Sequence, residues 1–198
     1  MDTNPAKKKF SLKNKYITKR EIIIAAVVAV VIFLIVCDKP MFEDGFTLWK
    51  PYLWSTQKLS SGDVIINISK AGASDDAVDL DKVVICDKSS ELNDEIQTAK
   101  DYITYRINYE VEYSMEEVPP DKTSEQVQIF ETGRLNFGGY DVYYFIYTPG
   151  GEYSGNKTLE VAIRKGDKLY TAEYRSRWMN FDNNYKKAFK MIKTIRIK

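Results

Sequence analysis

The chain has 198 residues, room for one ordinary domain and an appendage, and its 44% hydrophobic and 29% charged content excludes a disordered protein. The net charge of +1 hides a polarity: residues 1–21 carry seven basic groups against Asp2 and Glu21, and the rest of the chain is net acidic. There is no histidine, and the two cysteines have no metal-ligand spacing, so Ser-His-Asp and Cys-His catalysis and histidine-bound zinc are excluded and neither cofactor nor metal is expected.

The first element follows the basic tail. Ile22 to Val36 is fifteen apolar residues without a charge, and Cys37 makes sixteen. This run has no polar face at any period, so a transmembrane helix is expected over 22–37. At about 1.5 Å per residue it reaches roughly 24 Å, slightly short of a bilayer core of about 30 Å. Lys19 and Arg20 can snorkel at one end, and Pro40–Phe42 can rest in the interface at the other. The neighbouring apolar run makes lipid, not nucleic acid, the partner of the basic tail. The positive-inside rule keeps 1–21 in the cytoplasm and exports 38–198, with a stalk over 38–45 and a domain over 46–198. The protein is therefore expected in the cell membrane as a single-pass signal anchor. Leu34-Ile35-Val36-Cys37 is the alternative, a lipoprotein signal acylated on Cys37, but Val36 stands where a small residue is needed.

Further along, Phe46–Lys50 reads as a strand, with Pro51 marking an edge strand or the turn that ends it. Ser60–Asp63 reads as a turn, Val64–Ile68 as a strand and Ala71–Asp76 as a loop. Residues 77–113 look mostly helical. Leu92, Ile96, Ala99, Ile103 and Ile107 make one apolar stripe, with Ser89 or Ser90 as the expected cap. Val83–Cys86 is ambiguous between a short strand and an earlier helix. Pro119-Pro120-Asp121 ends the helical region.

The second half reads as β. A strand lies within Val127–Leu135, Gly138-Gly139 is a turn, and Tyr140–Thr148 is a strand apolar on both faces, as in the middle of a covered sheet. Leu159–Arg164 and Leu169–Tyr174 flank Lys165-Gly166-Asp167-Lys168, a hairpin. Phe181, Tyr185, Ala188, Phe189 and Ile192 form a second helical stripe, capped by Asn180 or Asp182, and Ile195–Ile197 is a last short strand. The fold class is α+β: a mostly antiparallel sheet packed with two or more helices behind the N-terminal transmembrane helix.

Local signals narrow the class. Phe46-Thr47-Leu48 followed by Pro51 and Trp54, Gly139-Tyr140 leading into an aromatic strand, and a closing hairpin, helix and Thr194-Ile195-Arg196-Ile197 together span about 45–198. This pattern resembles the PsbP-like family, found among photosystem-associated proteins and many anchored bacterial proteins of unknown role. The resemblance implies a PsbP-like sandwich. It implies no catalytic motif, and fold does not set function.

No residue set stands out as catalytic. Asp75, Asp76, Asp79 and Asp81 form the densest carboxylate cluster but lack the glycine and distal glutamate of an EF-hand, so a solvated loop is the better reading. Cys86, in an apolar tetrapeptide, reads as a buried thiol. Trp49, Trp54 and Trp178 are candidates for a ligand groove, and Arg175, Arg177 and Trp178 for an anionic or sugar-like ligand; packing is the commoner use of tryptophan. Residues 75–125 hold 15 acidic and five basic groups, whereas 157–198 hold twelve basic and four acidic ones. The two segments either face each other or steer a charged partner. The expected function is a non-enzymatic extracytoplasmic binding or interaction module, partnered by the bilayer and by an envelope protein. The alternatives are a carboxylate hydrolase of envelope polymers and a ligand-binding lipoprotein. Paired carboxylates in a concave pocket with displaced pKa values would favour the hydrolase.

Overall fold

The chain divides into two compact units, Met1–Cys37 and Asp38–Lys198. The computed structural model describes residues 19–36, 38–51, 53–68, 81–119, 122 and 125–198. In the first unit, α1 (Lys19–Val36) is an 18-residue helix whose first turn holds Lys19, Arg20 and Glu21. Its residues 22–32 are exposed all round. Among the described residues no helix is long and apolar enough to cross a membrane. The three charges leave only the last fifteen residues of α1 as an uninterrupted apolar run.

The second unit is built on antiparallel strands. A three-stranded sheet has the order β1-β2-β10, from β1 (Asp38–Phe42), β2 (Phe46–Pro51) and β10 (Arg196–Ile197). The stretch read as a stalk thus contains a strand paired along β2, from Asp38↔Pro51 to Phe42↔Thr47. Pro51 closes β2, where its missing N–H costs no ladder bond, and Trp54 N donates to its carbonyl in the turn that follows.

The larger sheet has seven strands: β3 (Ser55–Lys58), β4 (Val64–Asn67), β5 (Lys82–Asp87), β6 (Gln128–Leu135), β7 (Asp141–Thr148), β8 (Asn156–Lys165) and β9 (Lys168–Arg177). Their order is β3-β4-β5-β9-β8-β7-β6. The hairpin read at 159–174 is β8–β9, turned at Gly166 with φ +60°. The ambiguous tetrapeptide is strand β5: Val83 and Ile85 alternate into the core, and β9 supplies its ladder. The edge strand β3 is wholly exposed, so no apolar alternation marks it in the sequence.

Each face of this sheet carries one helix. On the first, α3 (Phe181–Ile192) buries Phe181, Ala188, Met191 and Ile192 over Leu159, Val161, Ile163, Ala172 and Tyr174. Phe46 and Leu48 of the small sheet complete that core. On the other face lies α2 (Ala99–Glu117). It starts later than the stripe suggests. Ser89–Glu91 is an isolated 3-10 turn, and Asn93 Oδ1 accepts from the backbone N–H of Glu95 and Ile96, holding that segment outside the helix. The true cap is Thr98, which forms a capping box with Asp101. Of the expected stripe, Leu92 and Ile96 therefore pack from the loop, and Ala99, Ile103 and Ile107 from the helix. Asp75, Asp76 and Asp79 lie outside the described residues; Asp81 accepts hydrogen bonds from Tyr174 and Ser176.

Candidate functional site

The site forms where the interface between α2 and the sheet stops being apolar. At its N-terminal end, α2 is pinned by Ala99 N donating to Asp141 Oδ2 at 2.8 Å. Ala99, Tyr102 and Ile103 then bury against Phe145, Tyr147, Ala162 and Leu169. One turn on, the same helix face presents Arg106, Tyr109 and Glu110. The sheet beneath changes in step. Side chains two apart share a face, so Ala162, Glu160 and Thr158 point at α2 from β8, and Thr171, Glu173 and Arg175 from β9. Glu160 and Glu173 are direct cross-strand partners, a like-charge pair that needs compensation.

Compensation comes from two arginines. Arg106 Nη2 lies 2.7 Å from Glu110 Oε1, and its Nε 3.4 Å from Glu160 Oε1. Arg175 Nη2 lies 2.5 Å from Glu173 Oε1. The Glu160 side chain is only 4% exposed. Burial pushes its carboxyl up to about 7, against the downward pull of Arg106. Among the described residues its second oxygen, Oε2, has no hydrogen-bond partner, nor have the buried Thr158 Oγ1 and Arg175 Nε. Burial likewise raises the phenols of Tyr102 and Tyr147, which stay protonated donors.

Two cavities flank the Arg106–Glu110 pair. One, of about 330 Å³, is lined by Glu160, Glu173, Arg106 and Cys86 and by Tyr102, Tyr105 and Tyr109. Lys88 and Glu91, 2.7 Å apart, also line it. The other, of about 250 Å³, lies between Tyr109, Glu110, Tyr113, Tyr147 and Arg175. Arg106 Cζ sits 5.2 Å from the centre of the Tyr109 ring. Burial, with the Asp63 carboxylate second, pushes the Cys86 thiol up to about 12, which makes it a poor nucleophile. Among the described residues, no group of three or more Cys, Asp or Glu side chains is placed to hold a metal ion.

The topology has relatives among solved structures. The chain is similar to cyanobacterial PsbP from Synechocystis, with a TM-score of 0.55 and 14% identity over 83% of this chain and 94% of that one. It is also similar to a Pseudomonas aeruginosa protein of unknown function, with a TM-score of 0.50 and 12% identity over 80% of this chain and 95% of that one. The fold is PsbP-like. No family model matches the sequence, and no curated protein matches it either.

Within the PsbP-like domain the residues singled out by sequence scatter. Arg175 lines the second cavity. Arg177 and Trp178 stand exposed just beyond it in the chain, Trp178 edge-to-face with Phe130 at 5.1 Å and under Lys157 at 4.8 Å. Trp54 is buried in the core on the α3 side, and Trp49 is half exposed on β2. These residues do not form one groove. Cys37 lies outside the described residues. The residues that sequence reasoning missed are Arg106, Glu160 and the tyrosines of α2. One signal for them stood in the chain: Glu160 is the single charge in Leu159-Glu160-Val161-Ala162-Ile163. A lone charge in a doubly covered strand needs a partner from another element.

Proposed function

We propose that this chain is a membrane-anchored extracytoplasmic binding module without catalytic activity, and that its ligand site is the cavity between α2 and the sheet. The observation that carries the binding reading is the open cavity of about 330 Å³ in which Glu160, Glu173 and Arg106 meet three tyrosines of α2. A fold selected for stability alone is as well served by apolar residues there, because burying ion pairs costs desolvation. The anchor reading rests on the fifteen apolar residues that end α1, exposed on every side over 22–32, behind a basic tail. A bilayer removes that apolar surface from water. In the same reading the domain meets an envelope protein partner, and the lipoprotein route through Cys37 is the competing mode of attachment.

Protease added outside intact spheroplasts tests the topology. Digestion of 38–198 is the expected result, and protection of that domain with a cleaved N-terminus overturns it. Mass spectrometry showing an acylated Cys37 at the mature N-terminus replaces the helix anchor by a lipid.

A second reading, a hydrolase using Glu160 and Glu173, is favoured by the raised carboxyl of Glu160 in a concave site. Geometry weighs against it. The two are side-by-side partners on adjacent strands, whereas glycoside hydrolysis needs carboxyls on opposite sides of a scissile bond. Turnover of peptidoglycan, glycan, ester or phosphoester substrates that Glu160→Gln abolishes, with the fold intact, makes the hydrolase the better reading.

A further inference from the structure

The two cavities beside α2 share the Tyr109 ring, and their charged walls are matched in pairs. Lys88 meets Glu91, Arg106 meets Glu110, and Arg175 meets Glu173. The remaining carboxylate, Glu160, is enclosed, shares Arg106 and sits close to its protonation point at neutral pH. An ion entering here gives up its water and finds no unmatched opposite charge. A neutral polar ligand loses much less on entry. The pairs are not sealed off. Arg106 and Glu110 keep 21% and 12% of their side chains exposed, and Arg175 and Glu173 keep 29% and 22%. Their exposed edges offer N–H donors and carboxylate acceptors side by side.

Aromatic rings stand beside these edges. Tyr105, Tyr109 and Tyr113 recur every fourth residue and form one row along α2, each about half exposed. The rings of Tyr109 and Tyr113 lie 6.4 Å apart and within 13° of parallel. Tyr153, also half exposed, borders the second cavity. The face of such a ring is negative, so it attracts C–H groups made slightly positive by neighbouring oxygens. A sugar ring offers those C–H groups together with a rim of hydroxyls, each a donor and an acceptor, and carries no charge. Successive sugar units along an oligosaccharide match a row of rings along a helix.

We propose that the two cavities form one site for a neutral oligosaccharide, with sugar rings against Tyr105, Tyr109 and Tyr113 and hydroxyls bonded to the exposed edges of the Arg106–Glu110 and Arg175–Glu173 pairs. This rests on the reading of the cavity beside α2 as a ligand site. It stands apart from the topology, which protease mapping decides, and from turnover, which substrate assays decide.

The test is isothermal titration calorimetry of the full chain near neutral pH, in micelles of a detergent without a sugar headgroup. The probes are chitotetraose, cellotetraose and maltotetraose, with tetragalacturonate as the charged oligosaccharide of equal length. Saturable binding of at least one neutral probe is the expected result, with an affinity that sodium chloride leaves unchanged because no net charge is matched. Tyr109→Ala removes the ring shared by both cavities and should weaken binding about tenfold, and Tyr105→Ala about threefold, with the circular dichroism unchanged. Phe42→Ala, which removes an exposed ring on β1, should leave the affinity as it was. Should Tyr109→Ala fail to fold, Tyr105→Ala decides. Binding of none of the three neutral probes overturns the proposal. Affinity that survives both tyrosine substitutions places the binding elsewhere and has the same consequence. Tighter binding of tetragalacturonate that Tyr109→Ala weakens overturns it as well, but leaves the cavity standing as a ligand site, so the two readings fail separately.

Discussion

The two faces of the seven-stranded sheet solve the same packing problem differently. Under α3, the inward residues of β4, β5, β8 and β9 are apolar almost throughout, and Tyr174 keeps its hydroxyl satisfied by donating to Phe181 O at 3.1 Å. Under α2, the interface begins with Phe145, Ala162 and Leu169 and then turns to Glu160, Glu173, Arg106 and Arg175. The same strands supply both faces, so strand propensity does not explain the difference. The α3 face removes apolar area from water, which drives folding. The α2 face gives up part of that gain to hold charges out of water. The division places stability on one side of the sheet and chemistry on the other.

The comparison breaks most visibly if the α3 face proves expendable. Phe181 is 2% exposed and packs on Tyr174 and Tyr185. Phe181→Ala should cost roughly 3–5 kcal/mol in urea denaturation. A loss below about 1 kcal/mol would mean that α3 does not seal this core.

The next effect is pH dependence from the α2 face. Glu160 is surrounded by Tyr102, Arg106 and Glu110 of α2, Glu173 and Arg175 of β9, and Tyr147 of β7. Its carboxyl is raised from 4.5 to about 7 on folding. The folded state therefore holds a proton that the unfolded state releases near 4.5. The stabilising contribution is full below 4.5 and is lost as pH rises through about 7. Asp87 and Asp101 have lowered carboxyls and act in the opposite direction, so the readout is the difference from Glu160→Gln. Relative to that variant, the wild type should gain up to about 3 kcal/mol between neutral and mildly acid pH. A gain in the other direction would remove Glu160 from the buried cluster.

Removing the partner cation sharpens the same point. Arg106→Leu breaks two ion pairs, and an uncompensated buried charge ordinarily costs about 3–5 kcal/mol. Here Glu160 is close to its protonation point at neutral pH and takes up a proton instead, so about 2 kcal/mol is expected at pH 7 and less at pH 5. Equal losses at both pH values would contradict proton uptake. The smallest effect belongs to the start of α2: Thr98→Ala, which removes the capping box, should cost about 1 kcal/mol in the same denaturation experiment.

Much of the architecture was legible because its signals are local. The β8–β9 hairpin follows from a Lys-Gly-Asp-Lys turn between alternating runs, and α3 from a stripe at helical spacing. The covered strand β7 follows from apolar residues on both faces. Signals failed where pairing supplies what the side chains do not. Strand β3 is polar throughout and exists through its ladder with β4, and β1 exists through β2. The start of α2 was misplaced because Ser89 and Thr98 are both plausible caps in sequence; only the reciprocal bonds of Thr98 and Asp101 distinguish them.

By itself the sequence determined an apolar N-terminal run, an α+β domain with two amphipathic helices, and a chemistry without histidine. Tertiary structure alone decided the candidate site. Arg106 lies in a segment rich in acid and Glu160 in one rich in base, each the minority charge of its own segment, and the two meet only after α2 crosses β7 and β8. Which of the many carboxylates loses its water, and which oxygen is left without a donor, depends on burial. Burial is a property of how distant segments pack, so no periodicity or spacing along the chain carries it.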